Sequence, residues 1–160
     1  MTRIDFHTNI GDKLGYACRL ARKAYGARGK LVLLAEDAQQ AAALDAALWT
    51  VSDTDFLPHA LAGATLAAQS PIIVAHAGQF AGGVADGFAG GVAGEATAPD
   101  LPHFDMLVNL TRDTPALLDR FVRVFEIIST DEADAAAGRK RYAAYKQQSY
   151  PLTHFVAGQA

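Results

Sequence analysis

Three scarcities limit what this 160-residue chain can be. It has one cysteine, Cys18, which excludes an internal disulfide and is typical of a protein kept in a reducing compartment. Its longest apolar runs, such as residues 71–75, are far too short to cross a bilayer. Charged residues interrupt the first few positions, which argues against a signal peptide. We therefore expect a cytoplasmic protein with no membrane partner.

Patterns that carry catalysis or metal binding are also missing. The histidines are widely separated and show no ligand spacing with Cys18 or with each other. The glycine-rich stretch lacks the lysine and hydroxyl that a Walker-type phosphate loop requires, and there is no Gly-x-Ser-x-Gly elbow. We therefore expect no catalytic residue, no metal and no cofactor. The net charge of −3 argues against nucleic-acid binding by the whole surface.

What is present is an alternation of strand-like and helix-like segments. Strands are predicted at 3–8, 31–35, 71–75, 105–110 and 121–128, and helices at 13–27, 36–49, 114–120 and 131–149. This order predicts a single α/β domain over residues 1–160 with a mostly parallel sheet covered on both faces, a three-layer sandwich. We expect the strand at 121–128 to be the last one. Asp12, Asp37 and Asp131 precede helices and are predicted to cap them.

The segment at about 78–102 interrupts this alternation. It contains the repeat FAGGV at 80–84 and again at 88–92. The backbone entropy of glycine makes a packed helix here unfavourable, which leaves a flexible surface insertion or a glycine-rich hairpin. We favour the flexible insertion.

The predicted last helix carries a cluster of cations and tyrosines. At 100° per residue, Arg139, Tyr142 and Lys146 share one face, whereas Arg141 and Tyr145 point elsewhere. A guanidinium beside a tyrosine suits a carboxylate next to an aromatic ring. Two alternatives stay open: cations that only complement the helix dipole, and a single-strand binder that uses Tyr142 and Tyr145 as stacking platforms.

A second aromatic cluster follows the second helix. Trp49 ends that helix, and Phe56 and Pro58 come soon after it. These side chains either close the core of the domain or form an exposed anchor for a partner protein, since aromatic residues dominate interface hot spots.

Taken in order, these segments resemble a known family. The matching pieces are GKLVL at 29–33, ED at 36–37, LD at 44–45, ALW at 47–49, FLPH at 56–59, LAG at 61–63 and RKRYAAY at 139–145. Their order and spacing resemble the chi subunits of bacterial DNA polymerase III. The resemblance implies a non-catalytic adaptor of the clamp loader, with a nucleotide-binding-like topology that has no phosphate-binding loop.

The resemblance also implies two partner sites. Arg139, Tyr142 and Ile128 match positions that bind the acidic carboxyl-terminal tail of single-stranded DNA-binding protein. The family often has lysine after this tyrosine, where this chain has alanine, and we expect Lys146 to substitute in part. Contact with DNA would then be mainly indirect.

The second site implied by the resemblance contains Trp49, Phe56 and Pro58. These match an aromatic surface for the psi subunit or for a helicase. The alternative function is a small nucleotide- or cofactor-binding α/β enzyme that uses the glycine-rich insertion as a lid.

Overall fold

A computed structural model describes residues 2–50, 58–62, 70–77, 101–115 and 118–157 of this chain. Its helices and strands are β1 (Arg3–Ile10), α1 (Lys13–Gly26), β2 (Leu31–Ala35), α2 (Ala38–Thr50), β3 (His59–Leu61), β4 (Ile72–His76), β5 (Met106–Asn109), β6 (Arg123–Ser129), α3 (Glu132–Gln147) and β7 (Leu152–Val156). A short 3-10 helix, Leu118–Arg120, precedes β6. Over these ranges, no helix has the length and apolar character needed to cross a membrane.

The strands form one sheet in the order β3-β4-β2-β5-β6-β1-β7. Every neighbouring pair in it is parallel. Parallel strands of one sheet need crossover connections, and helices supply several of them: α1 links β1 to β2, α2 links β2 to β3, and α3 links β6 to β7. The predicted α/β class with a parallel sheet is confirmed.

Apolar side chains fill both faces of the sheet and produce three layers. Successive strand residues point to opposite faces, so Ile127 packs on the side of α1 and α2, whereas Ile128 packs on the side of α3. The helix α2 buries a stripe formed by Ala41, Leu44 and Leu48. The sandwich predicted from the sequence is therefore confirmed: within the described residues, α1 and α2 cover one face of the sheet and α3 covers the other.

Aspartate side chains cap α1, α2 and α3 where the sequence places them. The Gly15 backbone N–H donates to Asp12 Oδ1 over 3.1 Å, and the Gln40 N–H donates to Asp37 Oδ1 over 2.8 Å. The Asp134 N–H donates to Asp131 Oδ2 over 3.1 Å. Each cap satisfies a helix N–H that has no partner inside the helix.

Two strands lie outside the sequence prediction. The strand β6 is not the last one, because β7 follows Pro151 and pairs with β1, Ile4 opposite Leu152. The three-residue β3 pairs with β4 at the other edge. Both are short edge strands held by their neighbours, and so neither has a strong pattern of its own. Almost all of the glycine-rich segment lies outside the described residues.

Candidate functional site

A groove of about 680 Å³ lies between α3 and the strands β1, β6 and β7. Its lining consists of Phe6, Thr8, Asn9, Ile128, Ser129, Thr130, Ala135, Gly138, Arg139, Tyr142, Ala143 and His154. Three of the four residues predicted for the tail site, Arg139, Tyr142 and Ile128, are thereby brought together. The fourth, Lys146, is exposed on the last turn of α3 and does not belong to this lining.

The floor of the groove depends on the absence of a side chain at Gly138. A Cβ atom there would lie 2.6 Å from Ile128 Cδ1 and 3.2 Å from Ile128 Cγ2. Glycine in the middle of a helix costs about 1 kcal/mol of helix stability relative to alanine. At this position the cost is offset because the α3 backbone can approach Ile128 closely. The helix α3 can therefore lie directly on Ile128, which is 3% exposed.

One wall of the groove is aromatic. The Tyr142 ring meets the Phe6 ring edge-on at a centroid distance of 5.0 Å and lies 6.4 Å from the His154 ring. His154 is held in turn by Thr8, whose Oγ1 lies 2.8 Å from His154 Nε2. The wall thus joins α3 to β1 and β7, and it offers ring surface against which an apolar guest could pack.

The end of β1 keeps β7 close to this wall. The pairing of β1 with β6 shifts register between His7 and Ile10, and Asn9 has a φ of 63°. Asparagine tolerates this left-handed conformation better than most residues. The Asn9 side chain then donates from Nδ2 to the carbonyl oxygen of Ala157 over 2.9 Å, just after β7 ends.

Arg139 lies at the rim of the groove. Its guanidinium is 3.1 Å from Glu132 Oε2, and the two side chains are 67% and 86% exposed. Exposed ion pairs of this kind contribute about 0–1 kcal/mol because water and salt screen them. Arg139 can therefore exchange Glu132 for the carboxylate of a guest at little cost.

The adjacent face of α3 is bonded into the core by Glu126 of β6, which is fully buried. Glu126 accepts hydrogen bonds from the Tyr145 hydroxyl over 2.7 Å, from Arg141 Nη2 over 2.9 Å and from Asn109 Nδ2 over 2.9 Å. Burial raises the pKa of Glu126 above its usual value, and the Arg141 charge and these hydrogen bonds offset that effect only in part. The network fixes α3 against β5 and β6.

A second carboxylate anchors the amino-terminal end of α3. Asp134 Oδ2 accepts from the Ser129 backbone N–H over 2.7 Å and lies 3.1 Å from Lys13 Nζ. Burial raises its pKa, but the Ser129 hydrogen bond and the Lys13 charge outweigh that effect, so the pKa of Asp134 lies below its usual value. Because Ser129 lines the groove, this anchor also positions the site.

The second predicted partner surface lies near the other edge of the sheet. Trp49 is 56% exposed, and its ring lies 4.8 Å from the His59 ring, which begins β3. Pro58, which directly precedes β3, is half-buried, whereas Phe56 lies outside the described residues. The structure thus has Trp49 exposed rather than closing the core.

Sequence reasoning missed several members of the groove. Phe6, Asn9 and His154 come from strands far apart in the chain, and only the pairing of β1 with β7 brings them together. Gly138 carried a local signal, since glycine inside a predicted helix usually has a packing reason. Glu126 also carried one, as the single charge in an otherwise apolar stretch of β6.

Comparison with known proteins gives a consistent assignment. A model of the family described as DNA polymerase III chi subunit, HolC, matches residues 1–153. The chain is similar to the DNA polymerase III subunit chi of Pseudomonas aeruginosa, with 31% identity over 95% of this chain and 94% of that protein. It is also similar to the DNA polymerase III subunit chi of Haemophilus influenzae, with 24% identity over 86% of this chain and 82% of that protein.

A solved structure supports the fold alone. The crystal structure of T4 UvsW superimposes on 98% of this chain and on 41% of its own length, with a TM-score of 0.64 and 9% sequence identity. At that identity the likeness concerns the α/β architecture and not the function.

Proposed function

This chain belongs to the DNA polymerase III chi subunit family, and we propose that it is a non-catalytic adaptor of the clamp loader whose groove binds the acidic carboxyl-terminal tail of single-stranded DNA-binding protein. The terminal carboxylate of the tail pairs with Arg139 at the rim. The terminal aromatic ring enters the groove against Ile128 and Tyr142. The aspartates of the tail are attracted by the surrounding cations.

The observation that carries this proposal is the position of Arg139. It stands at the rim of an apolar groove and its ion pair, to Glu132, is exposed and weak. A charge-assisted hydrogen bond contributes about 1.5–3 kcal/mol, and burial of one aromatic ring adds about 1.5–3 kcal/mol. After the cost of association, we expect micromolar affinity, about −8 kcal/mol. Such a contact can form and break as a replisome advances.

A pair of synthetic tail peptides tests this assignment. One peptide ends in a free carboxylate and the other, otherwise identical, ends in an amide. We expect the free acid to bind at least tenfold more tightly in fluorescence anisotropy, because the amide removes the charge that Arg139 recognises. Salt should weaken binding of both peptides through their aspartates. Equal affinity for the two peptides would contradict recognition of the carboxyl terminus.

We further propose that the surface around Trp49, with Phe56 and Pro58, binds the psi subunit or a helicase. An exposed tryptophan is an unusual feature of a free surface and a common anchor of an interface. This surface lies at β3, five strand spacings from β1 in the sheet, or about 24 Å. The two partners can therefore be bound at the same time without contact between them.

Co-expression with the psi subunit of the same organism tests this second surface. Trp49→Ala should reduce co-purification of psi while leaving tail-peptide affinity unchanged. Arg139→Ala should have the reverse pattern. Loss of both activities in one variant would indicate a damaged fold or a shared site, and would contradict two separate surfaces.

A further inference from the structure

An exposed aromatic residue of β7 belongs neither to the groove nor to the Trp49 surface. Phe155 of the edge strand β7 is 55% exposed. Its neighbour His154 points to the α3 side, so Phe155 points to the side of α1. The helix α1 leaves β1 toward β2, so its Tyr16 reaches His7, whereas Phe155 on the edge strand stays exposed.

Three rings form a continuous surface there. The His7 ring lies 5.6 Å from the Tyr16 ring and 5.4 Å from the Phe155 ring, and His7 Nδ1 is hydrogen-bonded to the Tyr16 hydroxyl. Burial lowers the pKa of His7, so at neutral pH its imidazole is an uncharged ring. We call His7, Tyr16 and Phe155 the ring face.

Cations surround the ring face. The Arg19 guanidinium lies 5.7 Å from the centre of the Tyr16 ring, and both Lys23 and Arg123 are close enough to affect the His7 pKa. Arg123 is 41% exposed even though it pairs with Asp5 at 2.6 Å. Arg3 pairs with the same carboxylate, opposite Arg123 in the sheet.

The balance of charge on this surface is positive. Four cations, Arg3, Arg19, Lys23 and Arg123, are partly offset by Asp5 and by Asp12. The remaining positive charge lies in a protein whose total is −3, so it is a local feature. Flat rings with cations on two sides are what a chain of unpaired bases and phosphates requires.

We propose that the ring face is a second binding site, and that its ligand is single-stranded DNA. Bases stack on Phe155 and on the rings of His7 and Tyr16. Phosphates pair with Arg19, Lys23 and Arg123. The site lies on the α1 side of the sheet and the groove lies on the α3 side, so a protein tail and a DNA strand can be held together. This inference is independent of the function proposed for the groove.

Fluorescence anisotropy with a labelled oligothymidylate of about 20 nucleotides tests the proposal, at about 50 mM salt and then at higher salt. We expect micromolar binding that weakens with salt. Phe155→Ala should weaken binding about tenfold through lost stacking, and Phe155→Tyr should restore it. Lys23→Gln should weaken binding about threefold and reduce the salt slope by about 0.7.

Three control variants separate this site from the others: Trp49→Ala, Arg139→Ala and Lys140→Gln should leave oligonucleotide affinity within twofold. A duplex of the same length should bind less well, because its bases are already stacked. The proposal is overturned if the full chain does not bind the oligonucleotide at low salt, if Phe155→Ala binds as the natural chain does, or if the duplex binds equally. It is also overturned if an acidic peptide displaces the oligonucleotide from the natural chain and from Arg139→Ala alike, since the face would then select a protein.

Discussion

Two arginine–tyrosine pairs lie on adjacent faces of α3, and they differ in almost everything except residue type. Arg141 and Tyr145 are buried and both are hydrogen-bonded to Glu126. Arg139 and Tyr142 line the groove, and the ion pair of Arg139 is open to water. Residue type alone therefore does not distinguish a structural arginine from one that can bind a ligand. The distinction depends on whether the carboxylate paired with the arginine is buried in the protein or exposed to water.

The two arginines differ in the state of the carboxylate that each would leave behind if its guanidinium moved to a ligand. Arg141 would leave the charge of Glu126 unpaired inside the protein, where an ion is poorly solvated. Arg139 would leave Glu132 in water, where it is already hydrated. One face of the helix is therefore committed to the fold, and the other is available to a ligand.

The largest effect is expected from the buried pair. Arg141→Ala leaves Glu126 without its guanidinium partner, and we expect the free energy of unfolding to fall by about 3–5 kcal/mol. Urea denaturation followed by circular dichroism measures this. The double variant Arg141→Met with Glu126→Gln should lose less, since no unpaired charge remains. If Arg141→Ala unfolds at the same urea concentration as the natural chain, the structural role assigned to this face is wrong.

The burial of Arg141 also determines which variant can serve as a control for Arg139. The helical periodicity places Arg141 away from the binding face, as the structure does, and it suggests Arg141→Ala as a neutral comparison. Because Arg141 is a buried part of the core network, its loss would affect binding through the fold. Lys140, which is exposed on α3, is the matched control.

The second-largest effect is expected from a substitution in the floor of the groove. Gly138→Leu places a side chain where a Cβ alone would already lie 2.6 Å from Ile128. We expect tail affinity to fall more than tenfold, and the free energy of unfolding to fall by about 1–3 kcal/mol from overpacking. Calorimetric titration with the free-acid peptide measures the first effect and thermal unfolding the second.

Two further variants sharpen this prediction. Ala133→Leu adds the same side chain at an exposed position of the first turn of α3 and should bind normally. Gly138→Ala should change stability by no more than about 1 kcal/mol, since gained helix propensity offsets the contact with Ile128. Normal tail binding by Gly138→Leu would mean that the tail does not enter this groove.

The carboxylate at the amino-terminal end of α3 predicts a dependence on pH. Asp134 has a lowered pKa in the folded chain, so its contribution to stability is present above the usual aspartate value of 3.8 and is lost as the pH falls through the lower folded value. Asp134→Asn should therefore lower the free energy of unfolding by about 1–3 kcal/mol at neutral pH. Urea denaturation at a series of pH values should show the two chains converging in acid. A difference that stays constant with pH would contradict the ionised pairing with Lys13.

The smallest effect is expected from an added charge on the groove face. Ala143 lines the groove at the position where the resemblance suggests a lysine. Ala143→Lys should raise tail affinity about three- to fivefold, with a stronger dependence on salt. Lys146→Ala should lower affinity by no more than about twofold, because Lys146 is solvated on the last turn of the helix. If Lys146→Ala lowers tail affinity by a larger factor than Ala143→Lys raises it, Lys146 rather than the groove face supplies the principal cation for the tail.

Local pattern was enough to predict α1, α2 and α3, the central strands and the two faces of α3. The helix predicted at 114–120 is wrong in its extent, since the described residues there form only the 3-10 helix Leu118–Arg120. Buried β2 is a continuous apolar run, and the caps at Asp12 and Asp131 mark where helices begin. Both signals depend only on neighbouring residues. That is why a single sequence was sufficient for the α/β class.

The edge strands and the far wall of the groove depend on pairing between distant segments. His154 reaches Thr8 across 146 positions of the chain, and no local pattern records that contact. The partner of Arg141 was equally hidden, although a lone glutamate in β6 indicated that some cation must be nearby. The fold class could be predicted from residues that are close in sequence. The binding site could not, because its residues come together only through the register of β1, β6 and β7.

The most direct test compares two adjacent cations on α3. Arg139→Ala and Lys140→Ala each remove one exposed positive charge, so both variants should unfold as the natural chain does, within about 0.5 kcal/mol. Calorimetric titration with the free-acid tail peptide should show at least a tenfold loss of affinity for Arg139→Ala and less than a twofold loss for Lys140→Ala. If the two variants bind the peptide equally well, the groove face of α3 is not the tail site.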